Sequence, residues 1–587
     1  MGISDILTMV GGLALFLFGM HTLSGSLEKL AGGSLEKWLE KLTSSPIRGV
    51  LLGAGVTALI QSSAATTVMM VGFVNSGIMK LSQAIGVIMG ANIGTTATSW
   101  LISLSAVEGT GFITLFKPST FTPILALVGV VMLMFCKSDK KKTIGIIMLG
   151  FATLMFGMDM MSDGARVLEG NEQFCSIMTM FSNPILGVLA GAVLTAILQS
   201  SSVSIGILQS FSNATGGITY SIALPIILGQ NIGSCVTALI SSIGANKSAK
   251  RVAIVHLYFN IIGTVLFLTV FYTLNAFVNF AFMNDSLNSI GISIIHTCFN
   301  VLTTAVFLPF TKQLEKLAKL TIRDKPGEET PERPLLDERL LKTPSVAIEQ
   351  CRNVACKMAN LTKTTLISSL GLLTEFDQKL AQEIVDNENT IDIYEDKIGS
   401  YILKISSKDL SVSESQIVSN LLHTIGDLER ISDHAVNIME AASEMHTKKV
   451  KFSPQAFDEV EVITSAVIEI LTMSINAFIS GDVELAKEVE PLEDVIDQLR
   501  SDLKSRHIER LRKGMCTIEL GFILSDILTN IERVSDHCSN IAVCLIQIKE
   551  NNMDTHEYMT ELKKLEKSEF MDEFTSYQTK YMLPKNE

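Results

Sequence analysis

Pro46-Ile-Arg-Gly-Val-Leu-Leu-Gly-Ala-Gly-Val-Thr-Ala-Leu-Ile-Gln61-Ser62-Ser63 returns at 184–201 as Pro184-Ile-Leu-Gly-Val-Leu-Ala-Gly-Ala-Val-Leu-Thr-Ala-Ile-Leu-Gln199-Ser200-Ser201, with twelve of 18 positions identical at an offset of 138. Each copy is an apolar run of about 15 residues that stops at small polar groups, and another apolar run follows, Thr66–Ile78 or Val203–Phe211. At about 1.5 Å per residue, such a helix reaches about 22 Å. That falls short of a hydrocarbon core of about 30 Å but passes its middle. The pattern predicts two re-entrant helical hairpins whose tips carry Gln-Ser-Ser inside a membrane.

Charge divides the chain of 587 residues. Residues 1–311 hold 14 Lys/Arg and 11 Asp/Glu, a net of +3; the rest hold 33 and 49, a net of −16. A polytopic membrane half followed by an acidic soluble half is the expected division, and the acidic balance argues against nucleic acid as a partner. The nine cysteines form no C-x-x-C pair or framework, and Cys175 stands alone in a loop expected outside. Lys29 is the first cation, so the N-terminal apolar stretch reads as a retained span rather than a cleaved signal.

Apolar windows long enough to cross lie near 6–23, 82–104, 120–136, 144–163, 219–243, 252–280 and 288–311. Lys137, Lys140, Lys141 and Lys142 place the loop 137–143 in the cytoplasm. Working outward, 24–45 (Lys29, Lys37, Lys41), 244–251 (Lys247, Lys250, Arg251) and 312–323 fall inside. The loops 105–119, 164–183 and 281–287, with only Lys117 and Arg166, fall outside. The N-terminus is then outside, the C-terminus inside, and the hairpins enter from opposite faces.

The repeat extends further. Gly12–Met20 resembles Gly150–Met158, and Gly90-Ala-Asn92-Ile-Gly94-Thr95 resembles Gly229-Gln-Asn231-Ile-Gly233-Ser234. Each copy, about 5–136 and about 144–280, has three spans and one hairpin, so the second must be inverted. Inverted repeats with paired broken segments point to a secondary transporter with a midplane site.

At the tips, the second half-helix offers N-terminal amides to an anion. The carbonyl end of the first, with Ser, Thr and Gln oxygens, suits a small hard cation such as Na⁺. The Asn-Ile-Gly motifs are expected to add a second helix break. No charge lies in these motifs, so a divalent oxyanion would need co-bound cations, which argues for cation-coupled transport. A single Ser-Ser run could be a helix-packing face; recurrence with Gln and Asn kept at both copies favours a site. His21 and Asp159 occupy equivalent positions near span ends, where interfacial or gating roles are open. His256 and His296 read as hydrogen-bonded span residues.

These motifs resemble the type II sodium–phosphate cotransporter family over residues 5–311. The resemblance implies phosphate and Na⁺ binding at Gln61, Ser62, Ser63, Thr66, Gln199, Ser200, Ser201 and Ser202, and at Asn92, Thr95, Asn231 and Ser234. The family tip usually has three serines, but Ala64 takes the third place in the first copy.

The membrane domain is expected over 1–320. Residues 321–344, with four prolines and no periodicity, read as a linker. Helical spacing then predicts six helices, near 345–372, 377–406, 411–446, 454–480, 482–511 and 515–548, in two three-helix units over 345–550, with a charged tail at 551–587. The whole chain is expected to be all-α.

Leu428–Asn437 matches Ile531–Asn540 at an offset of 103. Glu429/Asp433, Glu532/Asp536, Glu388/Asp392 and Glu493/Asp497 are i, i+4 carboxylate pairs that repel on a shared helix face. Four at matched positions suit a hard cation, Mg²⁺, Mn²⁺ or iron. The two units resemble PhoU, a regulator of phosphate transport, and the resemblance implies metal binding, often by iron clusters, on these faces.

The reading is a multi-pass cell-membrane Na⁺–phosphate symporter with a cytoplasmic regulatory domain. The alternatives are a membrane-anchored phosphate sensor without transport, or a symporter of another oxyanion. No G-x-S-x-G elbow surrounds Ser62 or Ser200, which argues against an enzyme. A cytoplasmic regulatory partner and a homo-oligomer stay open.

Overall fold

The computed structural model describes residues 3–31, 45–104, 118–168, 178–323, 336–408, 410–550 and 567–584. Lys37, Lys41, Lys117, Cys175 and half of the expected linker, 324–335, lie outside them. Two compact units divide the chain, 1–346 and 347–587.

The first unit opens with α1 (Ile3–Ala31) and the hairpin α2 (Pro46–Ile60) and α3 (Ser63–Ser76), followed by α4 (Leu81–Ser103), α5 (Pro118–Phe135) and α6 (Asp139–Ala165). The second hairpin is α7 (Pro184–Leu198) and α8 (Ser201–Ala214). After it come α9 (Tyr220–Ser241), α10 (Lys247–Val278), α11 (Ser289–Phe307) and α12 (Thr311–Thr321). Both hairpins start alike because proline at the first helical position wastes no amide and a polar cap precedes it. Ser45 accepts from the Arg48 amide, and Asn183 from those of Ile185 and Leu186. The strands among the described residues are Ile218–Thr219 and Ser286–Leu287, paired antiparallel.

Glycine sets the distances between these helices. A Cβ on Gly53 would come within 2.1 Å of the Val87 carbonyl oxygen, and one on Gly90 within 2.0 Å of the Val50 oxygen. The second copy repeats the fit, Gly191 against the Ile226 oxygen and Gly229 against the Val188 oxygen, each at 2.1 Å. The first arm of each hairpin therefore lies backbone to backbone along the span that follows its partner arm. The matched helices α1 and α6 run antiparallel, with Gly12 against Met161, Gly19 against Leu154 and Gly157 against Phe16.

Asn-Ile-Gly does not break its helices, contrary to expectation: α4 and α9 are continuous through it. A Cβ on Gly94 would lie 2.6 Å from the Ala54 oxygen, and one on Gly233 2.4 Å from the Ala192 oxygen. These glycines serve close approach rather than a turn.

Seven helices among the described residues are long and apolar enough to cross a membrane. Six belong to the first unit, while α5 is a shorter apolar helix. The seventh, Pro454–Ser480, lies in the second unit, where residues such as Ile463, Val467, Ile470 and Leu471 are fully buried. A helix that is apolar on most sides is a buried core helix as readily as a span.

The second unit holds α13 (from Pro344 to Gly371), α14 (Gln378–Ser406), α15 (Val412–Lys448), α16 (Pro454–Ser480), α17 (Val483–Lys487), α18 (Val489–Arg512), α19 (Ile518–Glu550) and α20 (Lys567–Lys580). The expected helix 482–511 is split, since Pro491 cannot donate to the carbonyl four residues earlier and its ring clashes there. The tail contributes α20, with Lys580 bound to Glu469 at 2.6 Å.

Gly53→Ala should destabilise the first unit by about 1–3 kcal/mol through overpacking. Gly55→Ala, with nothing within 4 Å of the new methyl, should not. Thermal unfolding of the full-length protein in detergent compares them.

Candidate functional site

Both hairpins turn in the same two residues. Gln61 (φ 60°, ψ 23°) and Gln199 (φ 52°, ψ 22°) are left-handed, and Ser62 (φ −143°) and Ser200 (φ −147°) are extended. Ser62 and Ser200 cap the second arms, accepting from the Ala65 amide at 3.1 Å and the Val203 amide at 3.3 Å. A left-handed non-glycine residue costs roughly 1–2 kcal/mol. Strain repeated at matched positions makes these turns a candidate functional site.

The carbonyl ends of the first arms are tied down. Ser24 donates to the Ile60 oxygen at 2.7 Å, and Thr237 to the Gln199 oxygen at 3.4 Å. Gln61 donates through Nε2 to the Ala58 oxygen, leaving Oε1 buried without a partner.

The two tips meet in one cavity of about 190 Å³, lined by Met20, His21, Ser24, Gln61, Ser62, Ser63, Ala64, Gln199, Ser200, Ser201, Ser202 and Ser234. One water needs only about 10–15 Å³ of such volume, so a tetrahedral oxyanion with small cations is accommodated. No Lys, Arg, Asp or Glu lines it. Helix N-terminal amides and hydroxyls can bind the anion, while Gln61 Oε1 and serine oxygens can ligate a hard cation.

Eight expected site residues thus converge: Gln61, Ser62, Ser63, Gln199, Ser200, Ser201, Ser202 and Ser234. Four stand behind them. Thr66 is fully buried, donating to the Ser62 oxygen at 3.1 Å and accepting from Thr57 at 3.0 Å. Thr95 donates to Ala91 in its own helix at 3.0 Å, and Asn231 to Ile227 at 3.0 Å. Asn92 faces His256 Nε2 at 3.4 Å.

His21 lines the cavity, whereas its counterpart Asp159 is exposed and outside it. Met20 and Ser24 were not marked by the sequence reading, although they continue one face of a repeated span. His256 keeps one partnered nitrogen, and neither His296 ring nitrogen has a partner.

In the second unit, Asp433 on α15 acts electrostatically on Glu388 of α14, and Asp392 of α14 on Glu429 of α15. Burial, and then Asp433 and Asp392, raise the Glu388 carboxyl above its ordinary range; burial, Asp433 and Glu395 do the same for Glu429. On the other face burial pushes Glu493 up to about 8, reinforced by Glu490, Asp494, Asp497 and Asp536. Arg500 enters that face, pairing with Glu532 and lying 3.9 Å from Asp497. As the side chains stand, no three such groups among the described residues converge on one metal ion. The first face has the carboxylate donors for a hard cation; on the second, a guanidinium supplies countercharge.

His434 and His537 stack across the junction of α15 and α19, with ring centroids 5.7 Å apart. His434 meets Asn530 and His537 meets Asp427, each at 2.8 Å.

A family model described as Na+/Pi-cotransporter matches residues 15–163 and 153–295, and the PhoU domain model matches 355–442 and 461–545. The "Putative inorganic phosphate export protein YjbB" of Escherichia coli (strain K12) is 23% identical over 563 residues, covering 94% of this chain and 99% of that protein. The "Uncharacterized protein YqeW" of Bacillus subtilis is 33% identical over 263 residues, 43% of this chain and 78% of that protein. "Sodium-dependent phosphate transport protein 2A" of Rattus norvegicus is 38% identical over 116 residues, 19% of this chain and 18% of that protein. The chain belongs to the Na⁺/Pi-cotransporter family, a family of transporters rather than enzymes, and carries two PhoU-domain segments after its membrane half.

Proposed function

We propose that this protein moves inorganic phosphate across the cell membrane together with Na⁺, by alternating exposure of the paired tips. The observation that carries the reading is the meeting of two matched Gln-Ser-Ser turns in one cavity without charged residues. A phosphate dianion is costly to bury there unless cations accompany it, and the unpartnered Gln61 Oε1 offers one a ligand. Antiparallel packing of α1 and α6 supports inverted repeats, and the lysines at 137–142 support a cytoplasmic C-terminus.

Each residue has a task in this mechanism. Ser62 and Ser200 hold the turn and fix the first amides of α3 and α8. Ser63, Ser201 and Ser202 orient the oxyanion, and Gln61 and Gln199 hold cation and anion together. Direction follows the summed gradients of phosphate and Na⁺. The export named in the full-length relative favours efflux when internal phosphate is high.

We also infer that the first acidic face of the second unit binds a hard divalent cation through Glu388, Asp392, Glu429 and Asp433. The matched Glu493, Asp497, Glu532 and Asp536 form the weaker face, because Arg500 competes there.

Radiolabelled phosphate flux in proteoliposomes should fall at least tenfold when choline replaces Na⁺; equal flux would refute the coupling. Gln61→Leu and Ser202→Ala should each lower flux at subsaturating substrate by about 5- to 150-fold, the loss expected from roughly 1–3 kcal/mol per ligand. Mn²⁺ at 100 times its Kd should stabilise the second unit by about 2.7 kcal/mol. Calorimetry of the full chain should show that shift lost in Glu429→Gln/Asp433→Asn and reduced far less in Glu532→Gln/Asp536→Asn.

A further inference from the structure

The segment expected to be a linker contains a built contact. Residues Glu338–Lys342 form a short 3₁₀ turn started by Asp337, whose carboxylate accepts from the Arg339 amide at 3.0 Å. Asp337 is 3% exposed and Leu340 fully buried, which is unusual for a tether. Leu340 sits over Gly72 of α3: a Cβ there would meet its Cδ2 at 2.7 Å, so the missing side chain makes the socket.

Three polar links surround this socket. Asn75 Nδ2 donates to Asp337 at 2.7 Å. Asn75 also accepts from Asn246, the cap of α10, through both its side-chain and backbone oxygens at 2.8 Å. Arg339 pairs with Asp337 at 2.9 Å and donates to the Ser241 and Ile243 oxygens at 2.6 and 3.1 Å. One short segment therefore clamps the end of the first hairpin to the α9–α10 loop of the second repeat.

Ser63 at the tip and Asn75 at the clamp are opposite ends of α3, about 18 Å apart along the helix at about 1.5 Å per residue. Every residue from Thr66 to Asn75 is buried, so α3 moves as a rod or not at all. The counterpart of Asn75 at the repeat offset is Asn213, at the end of α8. It accepts from Ser289 at 2.7 Å, while Gln209 reaches Ser289 and Ser293. Both hairpins are thus anchored by membrane helices, and the first is held in addition by the stretch that runs directly into α13.

We propose that Asp337–Thr343 is a latch that restrains the first hairpin, through which the PhoU-containing half regulates transport. Closed, it holds α3 and slows exposure of the tip; withdrawn along the chain, it frees α3 and raises turnover. The proposal rests on the transport reading for its consequence but not for its mechanics.

Two measurements separate the two. Gly72→Cys/Leu340→Cys puts a thiol on each side of the socket, since a Cβ on Gly72 would lie 3.1 Å from Leu340 Cγ, the γ position that a cysteine sulfur takes. Oxidation should lower phosphate flux at least fivefold and reduction restore it, with the wild type unchanged by the same oxidant. Arg339→Ala should raise flux threefold or more. In parallel, amide exchange over 63–76 should quicken at least tenfold in Arg339→Ala. Flux unaffected by either change, or unchanged exchange, would overturn the latch. Absence of flux in the wild type with quickened exchange would sink the transport reading and keep the latch.

Discussion

A helix that ends inside a membrane must satisfy its last carbonyls and the next helix's first amides with whatever is at hand. The rest of the first unit depends on how that is met at residues 61–63 and 199–201. The left-handed glutamine turns the chain, the extended serine caps the next arm, and neighbouring helices bind the remaining carbonyls through Ser24 and Thr237. What is left over is a ring of hydroxyls, amides and one orphaned amide oxygen around a shared cavity. The groups that solve the backbone problem are also the ligands proposed for phosphate and Na⁺.

The two copies solve it differently in detail. Ala64 stands opposite Ser202, His21 has no counterpart in the cavity, and only the first hairpin is clamped by the segment leading to the second unit. The second unit is uneven in the same way, with Arg500 on one acidic face and Asp427 opposite Asn530 at the histidine stack. Duplicated halves thus supply symmetry for assembly, and single substitutions assign separate work to each half.

Much of this was legible because periodicity and duplication reinforce each other. The offset of 138 located both hairpins, and helix bounds followed from Pro46, Pro184 and their caps. What stayed hidden depends on neighbours distant in sequence. Asn-Ile-Gly looked like a break because glycine can serve a turn or a close approach; the choice is made by α2 and α7 lying against it. Ser24 became visible only once α1 reached Ile60. Leu340 looked like a linker residue until Gly72 offered a socket. Thr66, Thr95 and Asn231 carry the repeat's signature, yet spend their side chains on nearby hydrogen bonds.

The antiparallel seam between α1 and α6 has a mechanical meaning. Most helix pairs interlock ridges into grooves, and sliding one along the other lifts side chains over one another. Here Gly12, Gly19, Gly150, Gly157 and Gly164 remove those ridges and set backbone against backbone. Between these glycines Phe16, Leu23, Leu154 and Met158 still pack in one buried cluster, so the pair resists separation, since close-packed groups lose dispersion contacts at once. In the transport cycle proposed above, two halves rocking about a common cavity would share this close-packed seam as their pivot.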